Sequence, residues 1–193
     1  RTLAMSSDER ESLFRDLLRQ NAQWDPAPRE FELAEFTIEL ILSAAAFGQL
    51  KRHRMSTQIT GPYDPSLGWT MPETIDEAGM KGEFDNILSR SAEFADKIAR
   101  TDDSLGMQAA APYALCNAHR RRVIFKANAR ELYHISRLRE DAHAQWDIRN
   151  LASNMIQCVR EVMPDLFVMA VGKHEFLDRG REVFGESDED QQS

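Results

Sequence analysis

Two clusters of cationic and amide side chains have the residue types needed to bind a ligand with phosphate groups. The first cluster is the segment Q-L-K-R-H-R at residues 49–54. The second lies between residues 128 and 145, and its members are Asn128, Arg130, His134, Arg137, Arg139, His143 and Gln145. Guanidinium groups bind phosphate oxygens through two parallel hydrogen bonds, so arginine suits this task.

Part of the second cluster shares one helical face. Arg130, His134 and Arg137 are three to four residues apart, so a helix places them side by side. Such a face would present fixed cations to a phosphorylated ligand. The alternative is that the arginines lie at the surface and form ion pairs with nearby carboxylates. The candidate carboxylates for these pairs are Glu131, Glu140 and Asp141.

Apolar periodicity predicts the elements that must hold these residues. Helical spacing predicts helices over residues 8–20, 83–99, 105–117, 129–139 and 144–163, and small residues from position 44 predict a short helix before the first cluster. Alternation with a period of two predicts strands over residues 31–41 and 121–126. Glycine and proline between residues 55 and 79 predict a loop, and its Tyr63 and Trp69 favour an ordered binding loop.

These elements predict an α+β fold. We expect one domain over residues 1–185 and an acidic, disordered tail over residues 186–193. We expect Trp24 and Phe31 to be packing residues of that domain.

Charge and apolar pattern argue against several classes of partner. The net charge of -8 argues against nucleic acid, because a duplex binder needs a basic face. The longest apolar run, residues 40–47, is too short to span a membrane. Cys116 and Cys158 are expected to be reduced, buried thiols of a cytoplasmic protein. His119 and His174 have no partners at ligand spacing, so we expect no metal site.

Both clusters resemble the motifs of the flavin-dependent thymidylate synthase (ThyX) family. Residues 49–54 resemble the family's Q-x-x-R-H-R, which opens its defining motif. Residues 128–149 resemble its second signature, an N-A-R triplet, then L-R, then H-A-Q-W-E-I-R, with Asp147 in place of the glutamate. The resemblance covers most of residues 8–167. It implies one ThyX-like domain with an antiparallel sheet and several helices, assembled as a homotetramer with the flavin between subunits.

The resemblance also implies a role for each matching residue. FAD would be held by six residues: Arg52, His53, Arg54, Asn128, Arg130 and, in place of a family asparagine, His134. The uracil nucleotide would contact Gln49, Arg52 and Arg139. The expected catalytic residues are Arg139, at the pyrimidine edge, and His53, near the isoalloxazine ring. A fixed cation beside the pyrimidine oxygens would stabilise the negative charge that develops there.

The implied reaction is reductive methylation of C5 in a uridine monophosphate. It would use FAD, methylenetetrahydrofolate as the carbon donor and NADPH as the reductant, so the protein mainly positions the reactants. No cysteine nucleophile is required. Neither Cys116 nor Cys158 stands in a nucleophile motif, in agreement with this chemistry.

The half of the site that would bind the nucleotide phosphate departs from the family pattern. Pro62 and Asp64 stand where the family has a serine and an arginine that bind the phosphate. Pro112 stands where a further arginine is usual. A carboxylate cannot replace a guanidinium at a phosphate, because it repels the anion.

Three explanations of these departures stay open. The first is that the phosphate is bound by the loop at residues 55–79 or by the run at residues 120–122, which is otherwise expected to be a strand edge facing solvent. The second is that the substrate is UMP rather than dUMP, as in ThyX-like enzymes of polyoxin-type antibiotic pathways, and the missing phosphate residues favour UMP slightly. The third is a non-catalytic homologue that keeps FAD but transfers no methyl group.

Overall fold

The computed structural model describes residues 5–101 and 105–185, which contain eight helices and three strands. The helices are α1 (Ser7–Arg19), α2 (Ala44–Leu50), α3 (Glu73–Glu77), α4 (Lys81–Thr101), α5 (Leu105–Ala110), α6 (Ala129–Arg139), α7 (Trp146–Val162) and α8 (Phe176–Phe184). The strands are β1 (Glu35–Ser43), β2 (Ser56–Tyr63) and β3 (Arg120–Asn128), joined in the order β1-β3-β2 in an antiparallel sheet. The α+β class is confirmed, whereas the predicted tail at 186–193 lies outside the described residues.

Most predicted helices are confirmed to within a few residues. Helix α1 begins with a capping box, in which the Ser6 side chain accepts from the backbone of Glu9 and the Glu9 carboxylate accepts from the backbone of Ser6. The helix predicted over 105–117 is too long, because α5 ends at Ala110 and a 3-10 turn follows over Ala111–Ala114. Pro112 lies in that turn, and proline cannot donate the hydrogen bond that would continue an α-helix.

The strand predicted over residues 31–41 begins later than expected. Its first residues form a 3-10 turn, Arg29–Leu33, in which the backbone N–H of Phe31 donates to the carbonyl of Pro28 at 3.1 Å. From Glu35 onward the period of two is present: Leu40 and Leu42 are buried and Ile41 is exposed. The prediction of a half-buried strand is therefore confirmed for β1.

The loop predicted over residues 55–79 is wrong in its first part, which forms β2. Gly61 and Pro62 suggested a loop, yet β2 lies at an edge of the sheet. An edge strand tolerates proline, since half of its backbone groups point away from the sheet. Beyond Tyr63 the chain does leave regular structure, through a 3-10 turn at Pro65–Leu67 and the short helix α3.

The chain divides into two compact units. Unit 1 comprises the described residues up to Ile38, His53–Ser56 and those from Lys126 onward. Its core is a chain of aromatic contacts with ring centroids 5.2 to 6.0 Å apart, formed by Phe14, Phe31, Phe36, Tyr133 and Phe167. Each such pair contributes about 0.5–1.5 kcal/mol beyond the area it buries. Phe31 is thus a packing residue, as predicted.

Unit 2 comprises Glu39–Arg52 and Thr57–Phe125. Helix α4 packs there against α5 and the turn that follows it. Two side-chain hydrogen bonds hold this arrangement: the indole N–H of Trp69 donates to Asp85 at 2.8 Å, and the Ser91 hydroxyl donates to the carbonyl of Ala114 at 2.6 Å.

The residues after α6 are held by a close backbone approach at Gly172. A β-carbon at this position would lie 2.9 Å from the carbonyl carbon and oxygen of Glu140 and 3.0 Å from the backbone nitrogen of Asp141. Backbone atoms cannot give way as a flexible side chain does. Gly172 is therefore required for space, and it helps to fix the end of α6.

Gly172→Ala should lower the free energy of unfolding by roughly 1–3 kcal/mol, because the added methyl group forces the backbone at residues 140–141 to move. Urea denaturation measures the change. Gly82→Ala is the matched control, since a β-carbon there meets no atom within 4 Å. Equal stability of the two variants would contradict the assigned role of Gly172.

Candidate functional site

The junction between β3 and α6 sets the position of the candidate site. Asn128 ends the strand and caps the helix, and its side-chain oxygen accepts the backbone N–H of Glu131 at 2.9 Å. Such a cap contributes about 1 kcal/mol. The backbone N–H of Ala129 donates to the carbonyl of Ala34 at 2.8 Å, which ties the helix start to the segment before β1.

A cavity of about 420 Å³ in unit 1 lies against α6. Its lining residues are Trp24, Pro26, Ala27, Glu32, Met55, Asn128, Arg130, Glu131, Tyr133, His134 and Arg137. The prediction that Arg130, His134 and Arg137 share a helical face is confirmed, since all three line this cavity. Its size falls in the range of small-molecule sites, roughly 300–1,000 Å³.

The arginines of this face have partners other than the predicted ones. The Arg130 guanidinium donates to the carbonyl of Ala27 and to the Glu32 carboxylate, both at 2.8 Å. Hydrogen bonds from Arg29 and, to a lesser extent, Arg130 hold the pKa of the Glu32 carboxyl below its usual value. Arg137 donates to the backbone carbonyl of Asp25.

The three carboxylates predicted to pair with the arginines have other partners too. Glu131 contacts His53, Glu140 accepts from the hydroxyls of Ser136 and Ser153, and Asp141 accepts from the backbone N–H of His143. The surface-pair interpretation is therefore wrong for Arg130 and Arg137. Their positions are fixed from the chain before β1, which leaves α6 with a cationic face toward the cavity.

A buried line of hydrogen bonds joins the two sequence clusters. The imidazole Nδ1 of His53 lies 3.0 Å from the Glu131 carboxylate, and the exposed fractions of these two side chains are 3% and 8%. On the other side of the ring, Nε of Arg139 donates to Nε2 of His53 at 3.0 Å. The two expected catalytic residues, His53 and Arg139, are thus in direct contact.

His134 lies next to this line, with its ring centroid 5.7 Å from that of His53. Desolvation by partial burial lowers the pKa of His134 below its usual value. The positive charges of Arg137 and Arg139 act in the same direction, and the Glu131 carboxylate opposes them. His134 is therefore a neutral ring at the cavity wall near neutral pH.

The profile of the Thy1 family, described as thymidylate synthase complementing protein, matches residues 2–165. The chain belongs to this family. The resemblance inferred from the two motifs is therefore confirmed.

Several curated relatives of this Thy1 chain are named flavin-dependent thymidylate synthase. The flavin-dependent thymidylate synthases of Saccharolobus solfataricus and Sulfolobus acidocaldarius are each 30% identical, over 84% and 86% of this chain and 62% and 63% of their own lengths. The enzyme of the same name from Clostridium tetani is 34% identical over 62% of this chain and 55% of its own length. The chain thus spans about three fifths of the length of these relatives.

Three residues of the first Thy1 motif flank His53. Gln49 lies half-buried in α2, and Arg52 is exposed; both belong to unit 2. Arg54 belongs to unit 1 and is exposed, and in the part of the chain that the structure describes it does not line the cavity, although its neighbour Met55 does. The roles assigned to Gln49, Arg52 and Arg54 stay predictions.

The last part of the second motif has a structural use. The Gln145 side chain caps α7 by accepting the backbone N–H groups of Asp147 and Ile148, both at 3.1 Å. The Nδ1 of His143 lies 2.9 Å from the buried carboxylate of Asp141. Together with the backbone N–H of His143, this contact holds the pKa of Asp141 below its usual value. These motif residues shape the turn between α6 and α7.

The arginine run at residues 120–122 is not a strand edge, because β3 lies between the other two strands. Each of its side chains already has a partner within unit 2. Arg120 donates to the hydroxyl of Thr70 at 2.9 Å, Arg121 donates to the carbonyl of Gly61, and Arg122 pairs with Glu39. The guanidinium carbon of Arg121 also lies 4.8 and 4.4 Å from the ring centroids of Phe47 and Tyr63.

The three positions that depart from the family's phosphate-binding pattern have local structural roles. Pro62 lies near the end of β2, and Pro112 lies in the 3-10 turn after α5. Asp64 caps the next turn, where its carboxylate accepts the backbone N–H of Ser66 at 2.9 Å. A carboxylate engaged in a cap does not offer a place for a phosphate.

Several residues that line the cavity were not identified as site residues from the sequence, among them Trp24, Met55 and Glu131. Trp24 was expected to pack in the core, but it is 71% exposed at the cavity, and Met55 beside it is 72% exposed. Pro26 and Pro28, which end the helical pattern after Trp24, were a usable signal that this segment leaves the core. Glu131 was predicted only to form surface ion pairs with arginines. Its position directly after the N-A-R triplet at residues 128–130 was a sequence signal that it belongs to the site.

The structure also bears on metal-ligand groups, membrane-spanning helices and the two cysteines. Within residues 5–101 and 105–185 no three histidine, cysteine or acidic side chains are grouped as a metal site. None of the helices in the described part of the chain has the length and apolar character needed to cross a membrane. Cys116 and Cys158 are unpaired thiols, as predicted, but Cys158 is exposed and Cys116 only half-buried, so the expectation of burial is wrong.

The pKa of His134 has a consequence for stability against pH. Because folding lowers this pKa from 6.5, the unfolded chain binds the proton more readily, and stability is lost as pH falls through about 6.5. His134→Asn should therefore show a smaller decrease in Tm between pH 8 and pH 5.5 than the wild type, measured by calorimetry without ligands. An unchanged dependence of Tm on pH would contradict this assignment.

Proposed function

We propose that this Thy1 chain carries out flavin-dependent reductive methylation of uracil C5 in a uridine monophosphate, with UMP slightly favoured over dUMP. The observation that carries the proposal is the cavity at α6, because Asn128, Arg130 and His134, the residues expected to hold FAD, all line it. The relatives named flavin-dependent thymidylate synthase support the same reaction class.

The lining of the cavity fits a flavin nucleotide in its chemistry. Arg130 and Arg137 supply positive charge for phosphates. Trp24, Met55 and the exposed ring of His134 supply apolar and aromatic surface for a planar ring system. The Glu32 carboxylate holds Arg130 in place rather than leaving it mobile.

When bound, FAD would supply the electrons of the reaction, with NADPH as their source and methylenetetrahydrofolate as the source of the carbon. The residues of the chain would bind and orient the reactants. Arg139 stays charged at any working pH, so its guanidinium would stabilise negative charge on the pyrimidine oxygens while C5 loses its proton. His53 holds Arg139 because its Nε2 accepts a hydrogen bond from Nε of Arg139.

The choice between UMP and dUMP depends on the rebuilt phosphate side. The caps and turns formed by Asp64 and Pro112 leave no arginine where the family pattern expects one. Such rebuilding is what a changed nucleotide requires, and nucleoside-antibiotic biosynthesis is one setting for UMP methylation. A cytoplasmic homotetramer with FAD at the subunit interfaces belongs to the same proposal.

A second candidate is a homologue that binds FAD without methyl transfer. It is favoured by the same observation, since the residues expected at FAD are better preserved than those expected at the nucleotide phosphate. In that case the cavity would fill with FAD, but no uridylate would bind.

Release of tritium from 5-tritiated UMP and dUMP, assayed in parallel with FAD, NADPH and methylenetetrahydrofolate, separates these candidates. We expect release from at least one nucleotide, since methylation replaces the hydrogen on C5, and a faster rate with UMP. A faster rate with dUMP would reverse the substrate preference. No release from protein shown by its absorbance to hold FAD would leave the non-catalytic homologue.

Two arginine variants should separate the flavin and nucleotide sites. Arg139→Ala should abolish uridylate binding, measured by calorimetry, while FAD stays bound. Arg130→Ala should lower the affinity for FAD by roughly tenfold or more, because a hydrogen-bonded charge is lost from the cavity wall. The matched control is Arg100→Ala, at an arginine 78% exposed and paired only locally with Asp96. Normal uridylate binding by Arg139→Ala would show that its assignment is wrong.

A further inference from the structure

We propose that Glu131 is a positioning residue: its carboxylate fixes the tautomer of His53, and His53 in turn fixes the guanidinium of Arg139. This inference rests on the proposed function in one respect, namely that Arg139 contacts the uracil nucleotide.

The tautomer follows from the hydrogen bonds on the two sides of the imidazole ring. Nε of Arg139 can only donate, and it lies 3.0 Å from Nε2 of His53. Nε2 must therefore be the acceptor and carry no proton. The proton of the neutral ring is then on Nδ1, which donates to the Glu131 carboxylate at 3.0 Å. The opposite tautomer, or a doubly protonated ring, would place two donors face to face.

The surroundings of this line of contacts are rigid. His53 is 4% and Glu131 8% exposed, so neither side chain can turn into water. Glu131 lies in the first turn of α6, where the Asn128 cap holds its backbone N–H. The Ser56 hydroxyl donates to the backbone carbonyl of His53 at 2.6 Å, which restrains the backbone at His53.

Arg139 is the last residue of α6 and has a long, flexible side chain. The hydrogen bond at Nε fixes the plane of the Arg139 guanidinium. A ligand with a planar edge needs this fixed plane in order to form paired hydrogen bonds with the guanidinium. Without the Glu131 carboxylate, Nδ1 loses the acceptor that lies 3.0 Å from it, which makes it easier for the proton to move to Nε2. Arg139 would then lose Nε2 of His53 as the acceptor for its Nε.

Two further titratable side chains lie near this line of hydrogen bonds. His134 lies beside His53, and Arg137 stands on the same helix. Glu131 itself lines the cavity proposed for FAD, so a variant could act through the flavin instead. The test therefore measures FAD binding separately from nucleotide binding.

The test compares Glu131→Gln with Glu131→Ala. The glutamine oxygen can still accept from Nδ1, whereas alanine offers no acceptor. The first readout is 15N NMR of histidine-labelled protein, which distinguishes a protonated ring nitrogen from an unprotonated one, with His53→Gln used for assignment. The second readout is the affinity of the FAD-loaded protein for UMP and dUMP by calorimetry.

We expect Nδ1 of His53 to carry the proton in the wild type and in Glu131→Gln, but not uniformly in Glu131→Ala. Uridylate affinity should decrease about tenfold in Glu131→Ala and stay within about threefold of the wild type in Glu131→Gln. The affinity for FAD should change less than that for uridylate. A proton on Nε2 in the wild type, or equal uridylate affinity in all three proteins, would overturn the inference.

Two further outcomes are separable. If Glu131→Ala does not fold, as judged by circular dichroism, the wild-type tautomer and Glu131→Gln decide: Nδ1–H and retained affinity support the inference, and Nε2–H overturns it. If the wild type binds neither nucleotide, the proposed function fails and NMR alone decides. Loss of the Nδ1 proton only in Glu131→Ala then supports the role of Glu131, and the same tautomer in all three proteins overturns it.

Discussion

The buried hydrogen bond between Glu131 and His53 is the contact on which the rest of the site depends. It joins residues 78 positions apart in the sequence. A carboxylate in the interior is costly unless it is paired, and removing one partner of a buried pair costs about 3–5 kcal/mol. This hydrogen bond therefore fixes where His53, from the first cluster, meets α6. The place of Arg139 and the wall of the cavity follow from that meeting point.

Helix α6 combines a core face and a binding face. Leu132 and Ile135 are fully buried, and the hydroxyl of Tyr133 donates to the carbonyl of Leu166 at 2.9 Å. The same helix presents Arg130 and His134 to the cavity. Packing on one side thus holds the cationic groups on the other, and the same eleven residues serve stability and recognition.

Local patterns were enough to predict the longer helices α1, α4, α6 and α7 and the shared face of Arg130 and His134, because helical spacing depends only on neighbours along the chain. Local patterns did not predict contacts between segments that are far apart in the sequence. No periodicity shows that Glu131 meets His53, or that Arg121 lies between two aromatic rings. Strand β2 was missed for a related reason, since Pro62 interrupts a central strand but not an edge strand, and edges are defined only by the assembled sheet.

The edge position of β2 also bears on how the protein avoids aggregation. An exposed strand edge is a template to which a strand from another molecule can add. Ile59 is 66% exposed on β2, and its apolar side chain favours such association. Pro62 has no backbone N–H, and its fixed φ interrupts the regular strand geometry that such pairing needs. The proline that first suggested a loop is thus also a residue type that limits strand addition along a sheet edge.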